Sequence, residues 1–252
     1  MKQKIAEFSF LHVFAILLVV LGHAFYQTNS LIVDWLYQFH VPLFFFVSGS
    51  LFHVSVNGKP LQPHIFLSRK AVRLLLPYFA LSTLLFVPKI LLSQYMVRPI
   101  QANWREYVLM LIYPYRNVNS SYWFLPTLFL LFVFAVVALL FFQRLKHRTS
   151  LTVTTLLLTL LALANISLPF SHDTLFNVVG VIHYAFYFAL GYFVFSFGLM
   201  RFLDKRKTSF LVFLFTFVVS IIGLHVNKSP LMDLFFATNG ILMSVALARL
   251  YA

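Results

Sequence analysis

Only 10% of the 252 residues are charged while 61% are hydrophobic, and the mean hydropathy is +0.89. A water-facing domain ordinarily keeps about a quarter of its residues charged, so this composition excludes an ordinary soluble fold and makes lipid the solvent. The net charge of +13 comes in short clusters between apolar runs, as anchors at anionic lipid heads do, which sets nucleic acid aside as a partner; the lack of cysteine excludes disulfides, thiol nucleophiles and Cys-based metal sites.

A bilayer-spanning helix needs about 20 mainly apolar residues. The first such run covers 8–26, behind Lys2 and Lys4. It is longer than the apolar region of a signal peptide and no A-x-A-like site follows, so it is a retained span. Further spans fall near 36–54, 71–93, 122–142, 151–168, 176–199, 209–226 and 231–252. The segment 94–121 differs: Arg98, Arg105, Glu106 and Arg116 surround a short apolar piece, Tyr107–Tyr113, which suits an interfacial or re-entrant helix. The expected fold is all-α: a polytopic transmembrane helical bundle of about eight spans, forming a single membrane domain over 1–252. With the N-terminus in the cytoplasm, 14 of the 19 Lys and Arg fall on inner segments, the direction the positive-inside rule requires.

Ionisable residues inside spans are costly and therefore candidates for function. His12 and His23 are eleven residues apart, which brings them within about 20° on the helical wheel and roughly 16 Å apart along the axis. They could form a polar seam through the bundle, or His12 could be an interfacial histidine. Gly22 allows a close backbone approach beside His23, a group able to act as a base. In the second span, FHVPLFFFVSGSLFH, Pro42 is expected to kink the helix and free a carbonyl one turn earlier, near His40. Ser48 and Gly49 offer a small-residue contact surface, and His53 sits near the inner interface. In FLSRKAVRLLLPYF, Lys70 and Arg73 share a helix face behind Arg69. They are either an inner anchor or a clamp for a phosphate entering from the cytoplasm.

Tyr122 and Trp123, before Pro126, suit an outer aromatic belt. His183 with Tyr184 places one more imidazole in a span, and Asp173 beside His172 is a weak acid–base pair. No P-loop, E-x-x-H or G-x-S-x-G pattern occurs. The nine histidines include no paired i, i+4 set with a carboxylate, so no metal is expected.

In this order, FAILLVVLGHAF, FHVPLFFFVSGSLF, RKAVRLLLPYF, YWFLPTLFLLF and, more weakly, YAFYFALGYFVF resemble the acyltransferase-3 family of membrane proteins. The narrower resemblance is to its sugar or fucose O-acetylase branch, over roughly residues 8–200. It implies a multi-pass protein of the cell inner membrane that moves an acyl group, commonly acetyl from acetyl-CoA, onto a hydroxyl of a sugar or cell-envelope polysaccharide. By the resemblance, His23 is the catalytic base and His12 stands where the family carries Arg or Lys. Lys70 and Arg73 match the family's R-x-x-R pair, which handles the acyl donor, and His40 is the candidate for contact with the acceptor. Acyl-CoA, a glycan acceptor and membrane lipids are the implied partners.

Family members usually have ten helices, so the chain is expected to be either C-terminally truncated or a reduced variant. Two other readings stand beside acyl transfer. One is a transporter of a small anionic metabolite or glycan precursor, which kinked helices and midplane histidines also suit. The other is an inactive family member.

Overall fold

The structure, a computed structural model, describes residues 2–25, 30–58, 60–95, 99, 103–142, 147–169, 171 and 173–251. All regular structure among them is helical. In chain order the helices are α1 (Lys2–Ala24), α2 (Leu31–Tyr37), α3 (His40–Val56), α4 (Pro63–Leu91), α5 (Trp104–Ile112), α6 (Phe124–Phe142), α7 (His147–Ser167), α8 (Val178–Ser196), α9 (Arg206–Ile222) and α10 (Pro230–Tyr251). Among the described residues, seven helical stretches are long and apolar enough to cross a membrane. The run at 151–168 forms the shorter apolar stretch Leu151–Ser167 within α7, near the lower limit for crossing.

Two elements depart from the sequence reading. The kinked helix expected over 36–54 is instead two helices, α2 and α3, broken at Phe39, whose φ is −143° and ψ −12°. Pro42 then falls in the first turn of α3, where an N–H would have no helical acceptor, so no kink arises. Helix α4 begins eight residues before the expected start at 71, with Pro63 in its first turn, and continues through Pro77 and Pro88. At 1.5 Å per residue its 29 residues extend about 43 Å, more than the ~30 Å hydrocarbon layer, so a full turn or more projects beyond it. By contrast α5 has nine residues, capped by Asn103, whose side-chain oxygen accepts from the Glu106 amide at 2.8 Å. It is too short to cross, as the segment's charges predict.

The described residues divide into two compact units. The first comprises Met1–Lys59, Val153–Leu168 and Tyr184–Ala252. In it α3 and α10 pack on α1 and on each other, and α9 packs on α10. Helix α1 buries Glu7, Leu11, Ala15, Leu18 and Gly22, a helical stripe, and leaves Val13, Ile16, Leu17 and Val20 on the opposite side for lipid. Helices α3 and α8 meet backbone to backbone: a Cβ at Gly49 would overlap the Phe188 carbonyl, and one at Gly191 would overlap the Phe46 carbonyl. Ser50 closes this contact by donating to the Gly191 carbonyl at 3.2 Å. At one end of the unit Arg249 of α10 binds Glu7 of α1 at 2.7 Å and also pairs with Asp204.

The second unit comprises Pro60–Thr152 and Pro169–His183. Here α4 packs on α6, and α5 leads into 3-10 turns at Pro114–Arg116 and Ser120–Trp123. These turns are fastened to α4 by a polar knot. Tyr78 donates to the carbonyls of Met110 and Leu111 at 3.2 and 3.0 Å. Asn117, also buried, donates to Ser82 at 2.8 Å and to the Met110 carbonyl at 3.2 Å.

Candidate functional site

The first group of candidate residues is assembled in the first unit by the helix break at Phe39. Because α3 starts at His40, the carbonyl of Leu36 lies open to that side chain, and the His40 Nδ1 sits 2.8 Å from it. A carbonyl only accepts, so Nδ1 carries the proton and Nε2 of the neutral ring presents a lone pair. That Nε2 faces α1: a methyl placed on Gly22 would lie 3.4 Å from it. The imidazole is 1% exposed, its ring edge to face with Tyr37 at 4.7 Å between centroids. The Tyr37 hydroxyl donates to the Gly22 carbonyl at 3.3 Å. A break in one helix and a glycine in another thus create a corner holding one oriented imidazole.

His23 follows Gly22 and is the second member of this corner. It adjoins the corner through the Gly22 peptide, whose carbonyl accepts from Tyr37. Its side chain is exposed, unlike that of His40. His12 is exposed as well, on the flank of α1 that carries His23. The shared face expected from their spacing is present. Both lie beside the buried stripe of α1, not inside it. An imidazole facing lipid would be costly, so this flank is one where a polar ligand is favoured.

The second group belongs to the second unit. Lys70 and Arg73 lie one turn apart on α4. Arg73 is exposed, as is Arg69. Lys70 is half-buried, with its ammonium 4.0 Å from the ring centre of Phe132 on α6 and 5.4 Å from that of Phe66. A cation between two ring faces is held by their quadrupoles, so Lys70 is already partly solvated by aromatic carbon. Arg73 is the freer of the two to meet a phosphate with a forked pair of donors.

Other residues singled out by the sequence have local partners. Asp173 pairs with Arg116 through a two-pronged contact, one prong at 2.7 Å. That hydrogen bond holds the Asp173 carboxyl below its ordinary value and raises the Arg116 guanidinium. The acid–base partner proposed for Asp173, His172, lies outside the described residues. Tyr184 is buried and stacked on Phe45 at 4.5 Å, while its neighbour His183 is half-buried. The ring of His53 meets that of Tyr192 edge to face at 5.3 Å. Trp123 stacks on Tyr115 at 5.3 Å, and Tyr122 is half-buried.

Tyr37 was missed by sequence reasoning. Its position three residues before His40, across a helix break, carries no periodic signal, since the break itself is not visible in the apolar pattern.

The family model for an acyltransferase domain matches residues 5–252. No curated protein and no solved structure matches the chain.

Proposed function

The chain belongs to the acyltransferase-3 family and is a membrane acyltransferase; from that premise we propose that it moves acetyl from acetyl-CoA to a hydroxyl of a sugar or envelope polysaccharide, as the O-acetylase branch does. The corner at Gly22, His23, Tyr37 and His40 carries this reading. It offers an exposed imidazole on the residue after Gly22, which packs on a buried imidazole of fixed tautomer, in a protein without a thiol nucleophile.

Acetyl transfer needs a base for the acceptor hydroxyl, a place for the second polar group of the acceptor and an anchor for the donor phosphates. His23 takes the hydroxyl proton as the oxygen attacks the thioester carbonyl. The new C–O bond forms, the carbonyl electrons return, and the C–S bond breaks to release CoA as a thiolate. The imidazolium of His23 then gives its proton to the sulfur, which leaves the base neutral for the next turn. His40, with Nε2 as acceptor and Nδ1 tied to Leu36, receives a hydrogen bond from a neighbouring acceptor hydroxyl and fixes its orientation. On α4, Arg73 binds the CoA phosphates with Lys70 as the second positive charge. His12 provides a neutral donor or acceptor where the family has a permanent cation, so it adds less to donor binding than Arg or Lys would. The excess of Lys and Arg on alternate loops supports a cytoplasmic N-terminus and an inner-membrane setting, with donor entry from the cytoplasm.

A transfer experiment tests the reading. Purified protein in vesicles, given acetyl-labelled acetyl-CoA and total envelope glycan, should release CoA and label the glycan. Movement of the intact label across the vesicle without CoA release would instead make the protein a transporter.

A further inference from the structure

We infer that Tyr37 is a positioning residue that holds α1, with His23, at a fixed distance from α3, with His40. The inference rests on the reading of His23 as the base.

Three observations converge on it. Gly22 lies in the last turn of α1, where backbone carbonyls begin to take partners from outside the helix. The Tyr37 hydroxyl is such a partner, donating to the Gly22 carbonyl at 3.3 Å. The same side chain sets its ring edge to face with that of His40, at 4.7 Å between centroids and 73° between planes, while the Leu36 hydrogen bond holds the imidazole at Nδ1. Finally, Gly22 has no side chain to separate the helices: even a methyl there would reach within 3.4 Å of the His40 Nε2. At this level a methyl on Gly22 would stand in ordinary contact with the His40 ring, and the directional contact from α2 to α1 is the Tyr37 hydrogen bond. Tyr37 touches both α1 and the His40 ring at once. Its bond is to the carbonyl of the residue just before His23, so a change in that bond moves the peptide from which the base projects.

The arrangement separates two functions of one side chain. The hydroxyl sets the peptide of Gly22 and His23, and the ring sets the tilt of His40. Tyr37→Phe removes the first and keeps the second; Tyr37→Leu removes both. Loss of one neutral hydrogen bond of this kind is expected to lower kcat about tenfold in Tyr37→Phe. The KM for acetyl-CoA should stay within about twofold, since the role assigned to Tyr37 bears on the base and not on donor binding.

The test is performed on the full chain in detergent, with ring-nitrogen-labelled histidine, and reads kcat, KM, melting temperature and the histidine ring-nitrogen spectrum. His23→Asn and His40→Asn proteins assign the two signals. The expected result for Tyr37→Phe is a lower kcat at unchanged KM and melting temperature, with the His23 signal displaced and the His40 signal kept. In Tyr37→Leu the His40 signal should move as well. An unchanged His23 signal in Tyr37→Phe would overturn the inference. So would a fall in kcat matched by a fall in melting temperature, which marks a purely structural residue. The spectra need no turnover, so failure of the positioning role is distinguishable from failure of His23 as the base.

Discussion

Helices α3 and α4 are both strongly apolar, yet the fold uses them in opposite ways. In the most apolar stretch of Leu31–Val56, 61% of the residues are buried, against 11% in that of Pro63–Leu91. Apolar content does not separate them. What does is the small polar run Ser48-Gly49-Ser50 of α3, which lets the backbone of α8 come into contact. The surface of α4 is lined instead by Val72, Leu76, Leu84, Val87 and Leu91, all exposed, and its buried points are Tyr78 and Ser82, the members of the polar knot. In water an apolar side chain is driven inside. In lipid that force is absent, so small residues and hydrogen bonds decide which faces meet.

The largest effect should come from filling the glycine contact. Gly49→Leu would force α3 off α8 and should lower stability by about 3 kcal/mol or more, while Leu84→Ala on the exposed face of α4 should change it by less than ~0.5 kcal/mol. Thermal melting in detergent of the two variants reads the difference, and equal losses would break the comparison.

A smaller effect sharpens the contrast between packed and exposed sides within α4 itself. Arg73→Gln should raise the KM for acetyl-CoA about tenfold, the equivalent of one charge-assisted contact. Lys70→Met should raise it less than about threefold, because the Lys70 ammonium is shared with Phe132 and Phe66. Steady-state kinetics at fixed acceptor concentration distinguishes the pair; a larger effect at Lys70 would reverse the assignment.

The smallest effect belongs to the exposed pair Arg116–Asp173, with side chains 49% and 50% exposed. The Arg116 hydrogen bond lowers the Asp173 carboxyl, so its contribution is full above the ordinary aspartate value of about 3.9 and is lost as pH falls through the lower folded value. Exposure and salt hold it below about 0.5 kcal/mol. Asp173→Asn should therefore shift melting slightly at pH 7 and less again at pH 3.

Much of the helical frame was legible because lipid-facing length is a one-dimensional signal. The runs at 176–199 and 231–252 correspond to α8 and α10, whose bounds are Val178–Ser196 and Pro230–Tyr251. That the helix within 94–121 is too short to cross was legible from Arg105 and Glu106 beside a short apolar piece. Spacing also put His12 and His23 on one flank, as the structure has them. What spacing cannot supply is the partner of a face. Nothing in α1 marks Glu7 as the buried partner of an arginine 242 positions later. Nor does any local pattern announce that Gly191 meets Phe46, or that Lys70 lies over Phe132. Pro42 misled for a related reason: proline signals both a kink and a helix start, and only the break at Phe39 decides between them.

The central claim is that His23, exposed on α1 next to the Gly22 that packs on His40, is the base for acetyl transfer. Its most direct test is the rate of CoA release from acetyl-CoA with envelope glycan, compared between the unaltered protein and His23→Ala at matched melting temperature. The rate should fall at least about 100-fold, the usual contribution of a general base. An undiminished rate in His23→Ala would contradict it.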